Sequence, residues 1–278
     1  MPDSRLATEH VRVLVLQARN TPDMERQEQH CFLERCRIRP DQLETVNVTR
    51  EPLRAALLND IDAMFIGGAG EYSAHLEYPW MDSLLEFVRL TVDRVVPMFG
   101  SCWGHQIIAR ALGGRVVHDS DRAELGCREV RLTKAGRSDP LFSRFPDRFM
   151  ANMGHHDRVV ELPPGAVELA SNEQPFQAFR LADLPVYGTQ FHSELDAKRE
   201  RERLIAYRDY YREDLPNEAD FQRVVEDLAE TTEVDRLLYD FLLTFAVADV
   251  TDPSKASAPP LEDPGDIPSP AGDGSLRA

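Results

Sequence analysis

Apolar and polar positions divide the first hundred residues into short strand-like runs and longer amphipathic stretches. Val11–Leu16 and Ala63–Ile66 are almost continuously apolar, the pattern of strands buried on both faces. Leu43–Val48 alternates as a strand does. Thr21-Pro22-Asp23 has the residues of a helix start, and Met24–Cys36 reads as the helix it opens. Pro52–Leu58 reads as a short helix with Thr49 as its cap, and Trp80–Val92 as a longer one. Val95–Phe99 is a further apolar strand. It runs into Gly100-Ser101-Cys102-Trp103-Gly104, and a helical pattern follows at once, with Ile107, Ile108, Ala111 and Leu112 on one side. Strands alternating with helices at this spacing predict a parallel sheet covered on both faces.

The pattern changes between Arg115 and Phe191. Strand-like segments at Val116–His118, Cys127–Leu132, Arg148–Met153, Val167–Ala170 and Phe176–Leu181 are separated by Pro, Gly and Asp turns, which suits an antiparallel extension at the sheet edge. Val186–Phe191 reads as a short buried strand. Beyond Glu194 the chain turns helical, in Asp196–Arg212, Ala219–Ala229 and Val234–Val247. The first of these is dense in charge and reads as a solvated helix whose side chains pair at three and four apart. The last carries Val234, Leu237, Leu238, Phe241, Leu242 and Phe245 at helical spacing, a stripe that must cover something. Packing on the α/β core is one reading, and a subunit or synthetase interface, including a homo-oligomer through these helices, is the other. The pattern divides the chain into an α/β domain (1–195), a helical extension (196–250) and an acidic, Pro-rich tail (251–278). That tail is too poor in large apolar residues to offset ordering entropy.

Composition narrows the class of protein. The 278 residues carry a formal net charge of −16, which argues against a nucleic-acid surface. No stretch approaches the ~20 apolar residues of a membrane span, and no signal-peptide pattern opens the chain. Cys31, Cys36, Cys102 and Cys127 match no zinc spacing, and they suit a reducing, cytoplasmic setting.

The chemistry centres on Cys102. A strand that turns sharply into a helix with a nucleophilic side chain at the corner is a nucleophile elbow, and Gly100 and Gly104 let the chain bend tightly there. The positive end of the following helix favours a thiolate. A nucleophile needs a base and the base needs an orienting group. His192 and Glu194, two apart after an extended run, can lie on one side, which gives an order of Cys, His, Glu.

Gly-Ser-Cys-Trp-Gly-His-Gln at 100–106, Gln-Phe-His-Ser-Glu at 190–194 and the Gly-Gly-Ala-Gly turn at 67–70 together resemble the class I glutamine amidotransferases. The resemblance is greatest to stand-alone members related to the glutaminase domain of GMP synthase and to γ-glutamyl peptidases, and covers roughly residues 10–195. It implies a flavodoxin-like, three-layer α/β fold and hydrolysis of a γ-glutamyl amide through a cysteine thioester. In many members ammonia passes to a synthetase. Two residues depart from the pattern. Ser193 stands where the family usually has Pro, and Trp103 is bulkier than the residue often found beside the nucleophile.

Following the family, the backbone N–H groups of Gly68 and Trp103 form the oxyanion hole, and Gly70 and Gln106 face the substrate. His156 and Asp157 belong to a segment resembling the one that passes over the substrate's α-amino and α-carboxylate groups. A nucleotide site at 67–70 lacks the residues of a P-loop. His155, His156 and Asp157 are metal-ligand types, but adjacent side chains diverge, so no metal is expected. No cofactor is called for. Glutamine or a γ-glutamyl compound is the expected substrate. The candidate roles are an amidotransferase subunit serving a separate synthetase, a free-standing γ-glutamyl peptidase, and a non-catalytic relative.

Overall fold

The computed structural model describes residues 7–212 and 215–247. Its frame is a nine-stranded sheet ordered β2-β1-β3-β4-β11-β10-β9-β6-β7. The first five are β2 (Leu43–Asn47), β1 (Val13–Gln17), β3 (Ala63–Ile66), β4 (Met98–Ser101) and β11 (Val186–Thr189), all parallel. The antiparallel extension is β10 (Ala178–Leu181), β9 (Ala166–Ser171), β6 (Glu124–Leu132) and β7 (Arg148–His155). A separate ribbon pairs β5 (Arg115–His118) with β8 (Asp157–Glu161). The hydrophobic pattern shows no strand at 157–161, because polar residues crowd its start.

Side-chain alternation along the strands builds two cores. Val13, Val15, Phe65 and Phe99 point to one face, where Phe32 and Cys36 of α1 (Pro22–Cys36) cover them. Leu14, Leu16, Met64, Ile66 and Met98 point to the other, beneath α2 (Met81–Asp93) and α3 (Trp103–Ala111). This is the three-layer α/β architecture that the pattern predicted. Thr21 caps α1 by accepting from Met24 N–H, with Pro22 in its first turn.

The helix expected over Pro52–Leu58 shrinks to a 3₁₀ turn at Ala55–Leu58, and Thr49 bonds Asn47 Oδ1 instead of capping it. The strand expected from Val95 begins at Met98, since Val95 lies exposed in a turn with φ 55°. A short helix α4 (Lys134–Ser138) was not anticipated.

After β11 come α5 (Ala197–Ala206), α6 (Glu218–Asp227) and α7 (Leu237–Phe241), the last running into a π turn over Leu242–Ala246. The stripe on α7 packs onto the first core. Phe241 meets Phe65, Phe99 and Tyr187 at ring distances of 5.7, 5.5 and 5.9 Å. Burying such a ring is worth about 1.5–3 kcal/mol. Leu125, Leu204, Tyr207, Tyr211, Phe221 and Leu228 form a third cluster between α5, α6 and β6. Among the described residues no helix is long and apolar enough to cross a membrane. The expected tail at 251–278 lies outside the described residues.

Candidate active site at the elbow of the central strand

β4 and β11 are neighbours in parallel register, so their carboxyl ends finish side by side. Cys102 stands at the first and His192 just past the second. Cys102 is the residue before α3, with φ 51° and ψ −101°, a strained conformation for a non-glycine residue. Its N–H donates to Thr189 O at 2.8 Å, tying the elbow to β11. The two flanking glycines are sterically required. A Cβ on Gly104 would stand 2.2 Å from Ile66 O, and one on Gly100 would stand 2.4 Å from the Gly104 carbonyl.

The segment after β11 is pinned to β7 through His192 N–H and Asn152 O, at 3.2 Å. His192 Nδ1 is 2.9 Å from Glu194 Oε1, and Ser101 Oγ donates to Glu194 Oε2 at 2.5 Å. With Nδ1 so engaged, Nε2 is the nitrogen left free to serve Cys102, and the two residues wall one small space. Burial works against a charged imidazole here, but Glu200, Glu194 and Cys102 outweigh it and hold His192 well above its ordinary value. Burial would likewise raise Glu194, yet His192, Arg203 and the Ser101 hydrogen bond take it well below the carboxylate range. Both shifts favour the charged forms of the pair.

The Gly67–Gly70 turn faces the same point, since a Cβ on Gly68 would lie 3.1 Å from His192 Cε1. Trp103 opens α3, where backbone N–H groups lack intrahelical partners. Its buried indole lies against Trp80, at a ring distance of 6.1 Å. A cleft of about 230 Å³ leads away from Cys102, and Gly70, Tyr72, Gln106, His156 and Asp157 are among its walls.

Gln106 is buried, and its Nε2 donates to Asp157 O at 2.6 Å and to Gln190 Oε1 at 3.1 Å. The Asp157 carboxylate accepts from Ala74 N–H (2.9 Å) and Ser73 Oγ, and lies 2.9 Å from His118 Nδ1. His156 is sandwiched between His118 and Tyr211. His155 Nδ1 lies 3.0 Å from the Asp157 backbone carbonyl. Among the described residues, Asp157 is the one ligand type of 155–157 that comes to metal-like spacing with others, namely His75 and His118, within 4.8 Å. These atoms already bond one another and their neighbours, so an ion would have to displace those contacts.

His105 is buried beside Phe179, at a ring distance of 4.8 Å, and burial pushes its imidazole down to about 3. Its NMR signals should therefore stay unchanged between about pH 5 and 8, where an ordinary histidine titrates. A midpoint in that range would show that water reaches the ring.

Several residues at the site escaped the sequence reading. Gln190 donates from Nε2 to Cys102 Sγ at 3.7 Å, and a lone amide in an apolar strand was the signal for it. The solvated reading of Asp196–Arg212 is corrected, because Glu200 and Arg203 are 4% and 5% exposed and both face the site. Arg203 Nη1 donates to Glu194 Oε1 at 3.2 Å, and its Nη2 lies 3.7 Å from Glu28 Oε1. Glu28 is also bound by Arg19 Nη2 at 2.7 Å and by Gln17 Nε2 at 2.8 Å. Tyr207 Oη accepts from Arg19 at 3.0 Å. This buried network lies behind the 67–70 turn, since a Cβ on Gly67 would stand 2.3 Å from Glu28 Oε1.

The model of the glutamine amidotransferase class-I family matches residues 22–208, and the chain belongs to that family. One of the subunits of the glutamine-hydrolysing GMP synthase of Pyrococcus abyssi is 38% identical over 101 residues, covering 36% of this chain and 52% of that protein. The chain thus spans about half the length of the archaeal relatives it matches. The GMP synthase of Aquifex aeolicus is 39% identical over 101 residues, 36% of this chain and 19% of that protein. Among solved structures, a glutamine amidotransferase from Thermotoga maritima aligns over 86% of this chain and 99% of its own, with a TM-score of 0.68 and 23% identity. One from Methylobacillus flagellatus aligns over 85% and 91%, with a TM-score of 0.61 and 26% identity. The flavodoxin-like fold is thus shared.

Proposed function

We propose that this chain hydrolyses the γ-amide of glutamine through a γ-glutamyl thioester on Cys102. The observation that carries this reading is the Glu194–His192 hydrogen bond beside Cys102 at a strained elbow, with His192 and Cys102 walling one space. Cys102 attacks the γ-carbonyl as thiolate. The N–H groups of Gly68 and Trp103 receive the oxyanion. His192, held by Glu194, gives its Nε2 proton to the leaving nitrogen, and then takes one from the water that opens the thioester. Gly70, Gln106, His156 and Asp157 shape the cleft for the glutamyl end. Asp157 acts through its backbone carbonyl and through the loop its carboxylate ties down.

The similarity to the Pyrococcus GMP synthase protein supports a separate synthetase as acceptor of the ammonia. Four unpaired cysteines suit a reducing compartment, and we place the enzyme in the cytoplasm. The test is glutamate release from glutamine and from γ-glutamyl peptides, beside labelling of Cys102 by an electrophilic glutamine analogue. Cys102-dependent release from glutamine is expected. A preference for peptides would point to a γ-glutamyl peptidase. Neither release nor labelling would overturn the reading.

A further inference from the structure

Cys102 borders two spaces. One is the cleft, which Trp103 and Gln106 also line. The second is a chamber of about 20 Å³, walled by Gly68, Cys102, Gly154, His192, Glu200 and Tyr211. His192 borders the chamber and not the cleft. A chamber of this size holds one water-sized molecule.

Glu200 reaches the chamber from α5. Its Oε2 is buried and has no hydrogen-bond partner. Its Oε1 lies 3.2 Å from the point where a Cβ on Gly154 would stand, and His192 Nε2 lies 3.9 Å from that same point. Carboxylate and imidazole therefore flank one small space. A buried acceptor without a donor is costly, and such groups in native proteins call for an explanation.

We infer that this chamber receives the leaving nitrogen, and that Glu200 selects for primary γ-amides by accepting an N–H there. The inference rests on the proposed hydrolysis at Cys102. When the tetrahedral intermediate collapses, the C–N bond breaks and the oxyanion's electron pair restores the carbonyl. The Nε2 proton of His192 passes to nitrogen, ammonia forms, and the thioester stays on Cys102. The nitrogen must lie on the His192 side to take that proton. A primary amide brings two N–H donors, one of which meets Glu200 Oε2. A secondary amide replaces one with carbon, which would bury the carboxylate oxygen against an apolar group in a space for one heavy atom.

The experiment compares kcat/KM for glutamine and for its γ-methylamide in the native protein, Glu200→Ala, Glu200→Gln and Leu204→Ala, with thermal melting of each. The native protein should favour glutamine by about 100-fold or more, since sites built to bind an N–H strongly reject analogues lacking it. Glu200→Ala should shrink that ratio by about 10-fold or more, and Glu200→Gln, which keeps one acceptor oxygen, by less. Leu204→Ala, which enlarges the wall without removing the carboxylate, should leave the larger part of the preference in place. If Glu200→Ala does not fold, the Glu200→Gln ratio decides. Hydrolysis of glutamine with an unchanged ratio in the Glu200 variants, or equal use of both amides by the native protein, overturns the inference and leaves the proposed activity standing. Hydrolysis of neither amide by the native protein overturns both.

Discussion

Cys102→Ala is expected to lower glutamate release by roughly 10⁴-fold or more, because removing the nucleophile of such a constellation leaves only binding and oxyanion stabilisation. The fold should survive. Alanine keeps the Cβ, so the strain at φ 51° is unchanged. The lost sulfur contacts are long ones, to Gly154 O at 3.8 Å and from Gln190 Nε2 at 3.7 Å. The backbone bond to Thr189 O, which sets the elbow, does not involve the side chain. Melting curves should therefore nearly coincide while activity is lost. A variant that keeps more than about one hundredth of native turnover would assign the chemistry to another group.

Glu28→Ala should be the most damaging single change to stability outside the apolar cores. The Glu28 carboxylate is fully buried, and it neutralises Arg19 and stands beside Arg203, which are themselves buried. Removing one partner of a buried ion pair leaves the other charge uncompensated, at a cost of about 3–5 kcal/mol. For a domain of this size each kcal/mol lowers the melting temperature by about 2–4 °C, so a fall of about 6–20 °C is expected. Activity should fall as well. Glu28 supports the turn at Gly67, and Arg203 joins Glu28 to Glu194. Replacing Arg19 and Glu28 together by Met and Leu should recover part of the stability, since an apolar pair leaves no stranded charge. Denaturation by heat and by urea measures both variants. A single-variant loss below about 1 kcal/mol would mean that water enters to solvate the arginines.

The elements that were legible in the sequence are those whose signal is local. Val13 and Val15 against Leu14 and Leu16 write a strand buried on both faces, and the parallel sheet follows from repeating that signal between helices. Cys102 was legible because an elbow needs glycine on both sides, and both backbone approaches confirm that requirement at Gly100 and Gly104. The His192–Glu194 bond was legible because both residues sit within one three-residue segment.

Charged residues on α5 misled the reading for a physical reason. Glu200 and Arg203 have the composition of a solvated face, and only their surroundings make them buried. Those surroundings are Gly154 on β7, Glu28 on α1 and Tyr211 beyond α5 itself. Local sequence was enough to set the alternation of strand and helix, the corner at Cys102 and the pairing of His192 with Glu194. Each depends on backbone periodicity, or on side chains a few positions apart. Packing in three dimensions was needed to bring Arg19, Glu28, Arg203 and Glu194 into one buried network, and to close the space beside His192 with Glu200. Those contacts join residues far apart in the chain, and charge burial is set by what packs around a residue.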